Sequence, residues 1–179
     1  MDKLLAELKT RWPTAAQITL AGFSAGGQFV QHYIGFSHPP VGTTLRFVIG
    51  DPGSWLYFDS QPGACNEAQQ WKYGLEKLPV WLTERAVNAR ERYRYAAITT
   101  LEGGADDGPG KGKYYGILDK SCAAMVQGEG RKERGQTYHE YEKTRLHPVA
   151  PHRFSIVAGC RHDVQCVFNS PVGRRALFG

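Results

Sequence analysis

The stretch Ile18-Thr19-Leu20-Ala21-Gly22-Phe23-Ser24-Ala25-Gly26 places a G-x-S-x-G pattern directly behind a mainly apolar run. That order reads as a nucleophile elbow, a sharp strand-to-helix turn that lifts a serine hydroxyl above a parallel sheet. Such a turn strains the serine backbone, so the residues two before and two after it, Gly22 and Gly26, are expected to be small enough for strand and helix to approach closely. The pentapeptide alone is a weak signal, and the flanks carry the reading. Upstream, Leu4, Leu5 and Leu8 share one helical face, Trp12-Pro13 ends that helix, and Gln17 to Ala21 has strand character. Downstream, Phe29, Val30, Tyr33 and Ile34 mark a helix that begins at the turn and buries one face.

Further strands are predicted at Leu45 to Ile49, Tyr95 to Leu101 and Arg153 to Val157. Helical patterns cover Val80 to Tyr93, Lys120 to Gln127 and Arg131 to Arg145, and Ser170-Pro171 caps a last helix reaching about Phe178. Strands alternating with helices predict an α/β fold with a parallel sheet, helices on both faces, and one domain spanning residues 1–179. Residues 54–94 differ in kind, with Trp55, Tyr57, Phe58, Trp71, Tyr73 and Trp81 set among Pro and Gly. An aromatic excursion between two strands suits a cap over a pocket, and Trp55, Tyr57 and Trp71 are the pocket candidates.

Composition excludes several classes. With 179 residues, 41% hydrophobic and 12% aromatic, the chain can build a real core. The net charge of +5 is largely interleaved with Glu on helical stretches and accompanies no nucleic-acid-binding motif, which argues against nucleic-acid binding. No run approaches ~18 apolar residues, so no membrane span is expected. The first residues lack a signal peptide's pattern, so a cytoplasmic location is the default. Cys65, Cys122, Cys160 and Cys166 show no C-x-x-C spacing, which argues against structural zinc. Free buried thiols are expected, with Cys65–Cys122 or Cys160–Cys166 pairing relevant only to an exported protein. No metal or cofactor is expected.

A serine hydroxyl needs a base within hydrogen-bond reach, usually an imidazole oriented by a carboxylate. In open parallel sheets, these groups gather at the C-terminal strand ends. Ser24, Asp106 and His162 each follow such an end within about five residues, in the order Ser, Asp, His. Asp107, one residue on, and Asp51, after the second strand, are alternative acids. Asp163 reads as a loop-capping or surface residue. His32, His38, His139, His147 and His152 read as ordinary polar residues, and Cys160 points away from His162 along an extended chain.

On these residues the chain resembles the alpha/beta-hydrolase superfamily along essentially its whole length. Gly103-Gly104-Ala105-Asp106 and Gly159-Cys160-Arg161-His162 stand where that family places its acid and histidine turns. The resemblance implies Ser24 as nucleophile, His162 as general base and then acid, Asp106 as the group fixing the imidazole tautomer, and the Ala25 N–H as an oxyanion donor. It implies a small-molecule ester substrate, with an amide second, and an acyl-enzyme intermediate.

The family's earlier strands have no counterpart here, so Gln17 to Ala21 is expected at a sheet edge, a position prone to pairing. Met1 is accordingly an internal start, a fragment boundary, or the start of a protein that covers this edge by forming a homodimer. The loop that supplies the family's second oxyanion donor is also missing, and losing one donor typically costs about 10²–10³ in rate. The alternative function is therefore a catalytically impaired binding or assembly module that pairs through this edge.

Overall fold

A computed structural model describes residues 1–61, 65–107 and 114–179. Its apolar, β-rich runs form four parallel strands, β1 (Gln17–Phe23), β2 (Thr44–Gly50), β3 (Ala97–Gly103) and β4 (His152–Val157), side by side in chain order. Leu20 stands opposite Phe47, Phe47 opposite Ile98, and Thr100 opposite Phe154. β1 occupies one edge of this sheet.

Because every step moves in one direction across the sheet, crossovers of one hand all fall on the same face. Helix α2 (Ala25–Phe36), the excursion after β2, and α6 (Arg131–Tyr141) pack there around Val30, Ile34, Phe47, Ile49, Ile98 and Tyr138. The strand period of two sends Val48, Leu101 and Val157 to the opposite face. The chain end covers them with α7 (Val164–Asn169) and α8 (Pro171–Phe178). Ser170 caps α8 through the Gly173 N–H at 3.0 Å, as its Ser-Pro pair predicts.

The elbow is the tightest junction. Ser24 has φ 55° and ψ −121°, and its N–H continues the sheet ladder to the Gly50 carbonyl at 2.8 Å. A Cβ on Gly22 would overlap the Gly26 carbonyl, while a Cβ on Gly26 would meet nothing within 4 Å. The second close approach falls instead on Gly27, where a Cβ would lie 2.6 Å from the Gly50 carbonyl oxygen. Gly26 thus contributes its backbone to the junction and needs no glycine for space.

The 54–94 excursion divides. Trp55, Leu56, Tyr57 and Phe58 enter the core, where Trp55 stacks on Tyr138 with ring centroids 4.4 Å apart. The Tyr57 N–H donates to the Tyr73 carbonyl and the Phe58 N–H to the Tyr141 hydroxyl, while two amide side chains satisfy the backbone of Leu56 and Trp55. Gln31 holds the Leu56 N–H and carbonyl, and Gln127 holds those of Trp55, all at 2.8–3.0 Å. Buried Arg134 spreads its guanidinium over the carbonyls of Gly128, Gly53 and Asp119 at 2.8, 2.6 and 2.8 Å.

Local differences from the sequence reading have local causes. The helical pattern from Val80 to Tyr93 breaks into α3 (Val80–Thr83), a 3-10 turn, and α4 (Ala89–Arg94), because Asn88 takes a left-handed φ of 61°. β3 begins two residues late because the Tyr95 and Ala96 N–H groups still bond the end of α4. Lys120 to Gln127 contains only the short α5 (Cys122–Met125). The N-terminal helix α1 (Asp2–Arg11) forms as expected, whereas α7 carries no strong sequence signal. The cysteines expected as free thiols are paired, Cys65 with Cys122 and Cys160 with Cys166, because the fold brings Cα atoms to 5.9 and 5.6 Å. The Gly- and Lys-rich run 108–113, read from sequence as a loop, lies outside the described residues. No helix among the described residues is long and apolar enough to cross a membrane.

Two stability predictions follow from this packing. Gly22→Ala and Gly27→Ala will each destabilise by roughly 1–3 kcal/mol, whereas Gly26→Ala will be neutral or stabilising by about 0.5 kcal/mol, as read from urea unfolding. Arg134→Met, which leaves three carbonyls unpaired, will cost about 2–4 kcal/mol in the same assay.

Candidate active site

Each strand delivers one polar residue to the C-terminal rim of the sheet: Ser24 after β1, Asp51 after β2, Asp106 after β3 and His162 after β4. The acid and histidine loops are stitched together by backbone bonds from Gly104 N–H to the Val157 carbonyl and from Ala105 N–H to the Cys160 carbonyl, both 2.8 Å. Gly103 permits this, since a Cβ there would lie 2.7 Å from the Arg161 carbonyl oxygen. The histidine loop is short and doubly tied. Cys160–Cys166 closes it, and Asp163 accepts from the Gln165 and Cys166 N–H groups to cap α7.

These loops bring the three sequence candidates together. His162 Nδ1 lies 2.9 Å from Asp106 Oδ2, and Nε2 lies 2.8 Å from Ser24 Oγ. With Nδ1–H donating to the carboxylate, Nε2 is left to accept the serine proton. The Phe23 and Tyr114 rings pack against the imidazole with centroids 4.9 and 5.6 Å away. Buried Arg131 places a guanidinium nitrogen 3.7 Å from Asp106 Oδ1, and the Lys132 N–H donates to the Asp106 carbonyl at 3.3 Å. The N-terminus of α6 therefore holds the acid from behind.

The rival acids occupy other places. Asp107 pairs with Lys132 Nζ at 3.0 Å. Asp51 is fully buried, accepts from the Gly103 N–H at 2.7 Å, and stands 4.0 Å from His162 Nδ1. Asp51, Asp106 and His162 have potential ligand atoms within 4.8 Å of one another, with Nδ1 already bonded to Asp106. Burial, more than any neighbour, pushes the Asp51 carboxyl above its ordinary range.

Ala25, the first residue of α2, points its N–H out of the first helical turn, where no preceding carbonyl is available to it. From Ala25 a cleft of about 820 Å³ extends along α2, walled by Phe29, His32, Phe36, Trp71 and Trp81. Of the three pocket candidates, Trp71 lines this cleft. Trp55 and Tyr57 do not, because their rings lie in the core against Tyr138. Sequence reasoning missed Arg131, Phe23 and Tyr114, which contact Asp106 or His162. Only Phe23 carried a signal, by lying inside the G-x-S-x-G pattern.

No protein-family model matches the chain, and no curated protein matches it in sequence. Two solved structures do match. Poly(aspartic acid) hydrolase-1 from Sphingomonas sp. KT-1 superposes with a TM-score of 0.72 at 19% identity, over 100% of this chain and 62% of that one. LpqC, a poly(3-hydroxybutyrate) depolymerase from Bordetella parapertussis, superposes with a TM-score of 0.61 at 25% identity, over 90% of this chain and 51% of that one. The chain thus spans about three fifths and one half of the lengths of these neighbours. Its four-stranded parallel sheet, flanking helices and structural matches show that it has the alpha/beta-hydrolase fold, from the strand before the serine elbow to the C-terminal helix.

Proposed function

We propose that this chain is a serine hydrolase that cleaves an ester, in preference to an amide, through an acyl-enzyme. One observation carries the reading: Ser24 Oγ, His162 and Asp106 form a continuous relay with contacts of 2.8 and 2.9 Å. In the proposed cycle His162 Nε2 takes the Ser24 proton as Oγ attacks the carbonyl carbon, and Asp106 stabilises the resulting imidazolium. The Ala25 N–H donates to the oxyanion. His162 then protonates the leaving alcohol, and water repeats the sequence to release the acid. Ala25, the neighbour of Ser24, also lines the cleft along α2, whose mainly apolar wall, edged by Asp2, Lys3, Lys72 and Arg85, suits an apolar acyl or alcohol group. That a hydrolase and a depolymerase share the fold supports hydrolytic chemistry. The two disulfides favour an oxidising compartment over the cytoplasm.

A second reading, an assembly module pairing through β1, is favoured by that strand's place at the sheet edge. A dimeric solution mass without hydrolase activity would support it, and an active monomer would exclude it.

A fluorophosphonate probe will label the wild type and leave Ser24→Ala and His162→Ala unlabelled; equal labelling of those variants would sink the hydrolase reading. Phe29→Ala, on an exposed wall of the cleft, will raise KM for long-chain esters by about tenfold with little change in kcat, as steady-state kinetics will show.

A further inference from the structure

Beneath the serine–histidine–aspartate relay lies an acidic layer that the relay does not use. Glu102, near the end of β3, is fully buried, and neither carboxyl oxygen receives an N–H or O–H from the described protein groups. Asp51 Oδ1 takes the Gly103 N–H, while Oδ2 also lacks such a donor. The two residues are neighbours across the continued β2–β3 ladder: the Asp51 N–H bonds the Leu101 carbonyl at 3.0 Å and the Gly103 N–H bonds Asp51 Oδ1 at 2.7 Å, the residues on either side of Glu102. Two buried carboxylates side by side with oxygens that lack donors repel each other, and one proton shared between them relieves this. The space is shaped for the pair: Gly135 of α6 lies over Glu102, where a Cβ would overlap Oε1.

The charged surroundings decide which partner holds the proton. Glu102 faces Asp51, Asp106 and Arg131; burial and then the Asp51 charge push its carboxyl well above the ordinary range, against the opposing pull of Arg131. Asp51 faces Glu102, Asp106 and His162. Burial raises its carboxyl too, but the Gly103 N–H on Oδ1 and the His162 ring beside Oδ2 favour its charged form.

We propose that Glu102 is a neutral acid donating its proton to Asp51, and that the Asp51 anion fixed in this way, with Oδ2 4.0 Å from His162 Nδ1, is a positioning residue that offers the imidazole a second acceptor beside Asp106. The first half stands independently of any activity; the second rests on the hydrolase reading above.

The two halves are tested separately. Infrared difference spectra of wild type against Glu102→Gln at neutral pH will show one protonated carboxylic acid lost in the variant; a wild-type spectrum without that band overturns the proton assignment. The folded state keeps a proton that the unfolded chain releases above about pH 4, so this group's contribution to stability falls as pH rises, and Glu102→Gln will flatten that slope. A slope unchanged in the variant also overturns the assignment.

For positioning, Asp106→Asn will label with fluorophosphonate at least about tenfold faster than Asp51→Asn/Asp106→Asn, because only the single variant retains the second acceptor. Equal rates overturn the role of Asp51. Asparagine at 51 keeps an acceptor for the Gly103 N–H and tolerates the native φ of 41°, so the double variant is expected to fold. Glu102→Gln, whose amide still donates to Asp51, will label within about threefold of wild type, while Glu102→Leu will slow labelling by about tenfold or more. If Gln and Leu slow it equally, the donor role fails. A wild type that does not label defeats the hydrolase reading, while the infrared band still decides where the proton sits.

Discussion

The close approach of α2 to the ends of β1 and β2 is the constraint on which the rest of the molecule depends. At Ser24 the chain must stop pairing as a strand and start a helix within one residue, which puts the serine at φ 55°. A residue held there costs of order 1–3 kcal/mol and persists only where the surroundings over-determine it. Three backbone contacts do so: Gly22 against the Gly26 carbonyl, Gly27 against Gly50, and the Ser24 N–H to the Gly50 carbonyl. The same contacts seat α2 on the sheet, which lets Val30 and Ile34 close the main core and aims the Ser24 hydroxyl at the rim.

From that seat the site is assembled by the spacing of the sheet. Neighbouring parallel strands lie ~4.8 Å apart, so residues just beyond four consecutive strand ends fall within reach of one another without long loops. The ladder extends past the strands, through Ser24 N–H to Gly50, Asp51 N–H to Leu101 and Gly104 N–H to Val157. The groups proposed to react therefore stand on a continuation of the sheet, a rigid support of the kind that preorganised chemistry requires. Arg131 and Lys132 at the start of α6, with the disulfide across the histidine loop, hold Asp106 and His162 from the far side.

A second theme is the number of buried polar groups used to shape irregular chain. Gln31 and Gln127 complete the backbone of Trp55 and Leu56, and Arg134 gathers three carbonyls from separate loops. Each does for a loop what a neighbouring strand does for a β-strand, allowing an aromatic excursion to enter the core without orphaned amides. The carboxyl pair of Asp51 and Glu102 belongs to the same interior and lies nearest the site.

Period and punctuation determined much of this protein from sequence alone. Apolar runs bounded by Gly and Pro marked all four strands, the i, i+4 pattern after Ser24 marked α2, Ser170-Pro171 marked α8, and strand-end positions singled out Ser24, Asp106 and His162. These are local signals, carried by residues within a few positions of one another. Only the tertiary structure decided that Asp106, and not Asp107 or Asp51, lies within hydrogen-bond distance of the imidazole; that Gly27, and not Gly26, makes the second close approach; that Trp55 and Tyr57 turn inward while Trp71 lines the cleft; and that the cysteines pair. Each outcome depends on which groups meet across large sequence separations. Residue type and spacing do not encode that meeting, because it is set by the register of the sheet and the packing of α6 and the excursion upon it.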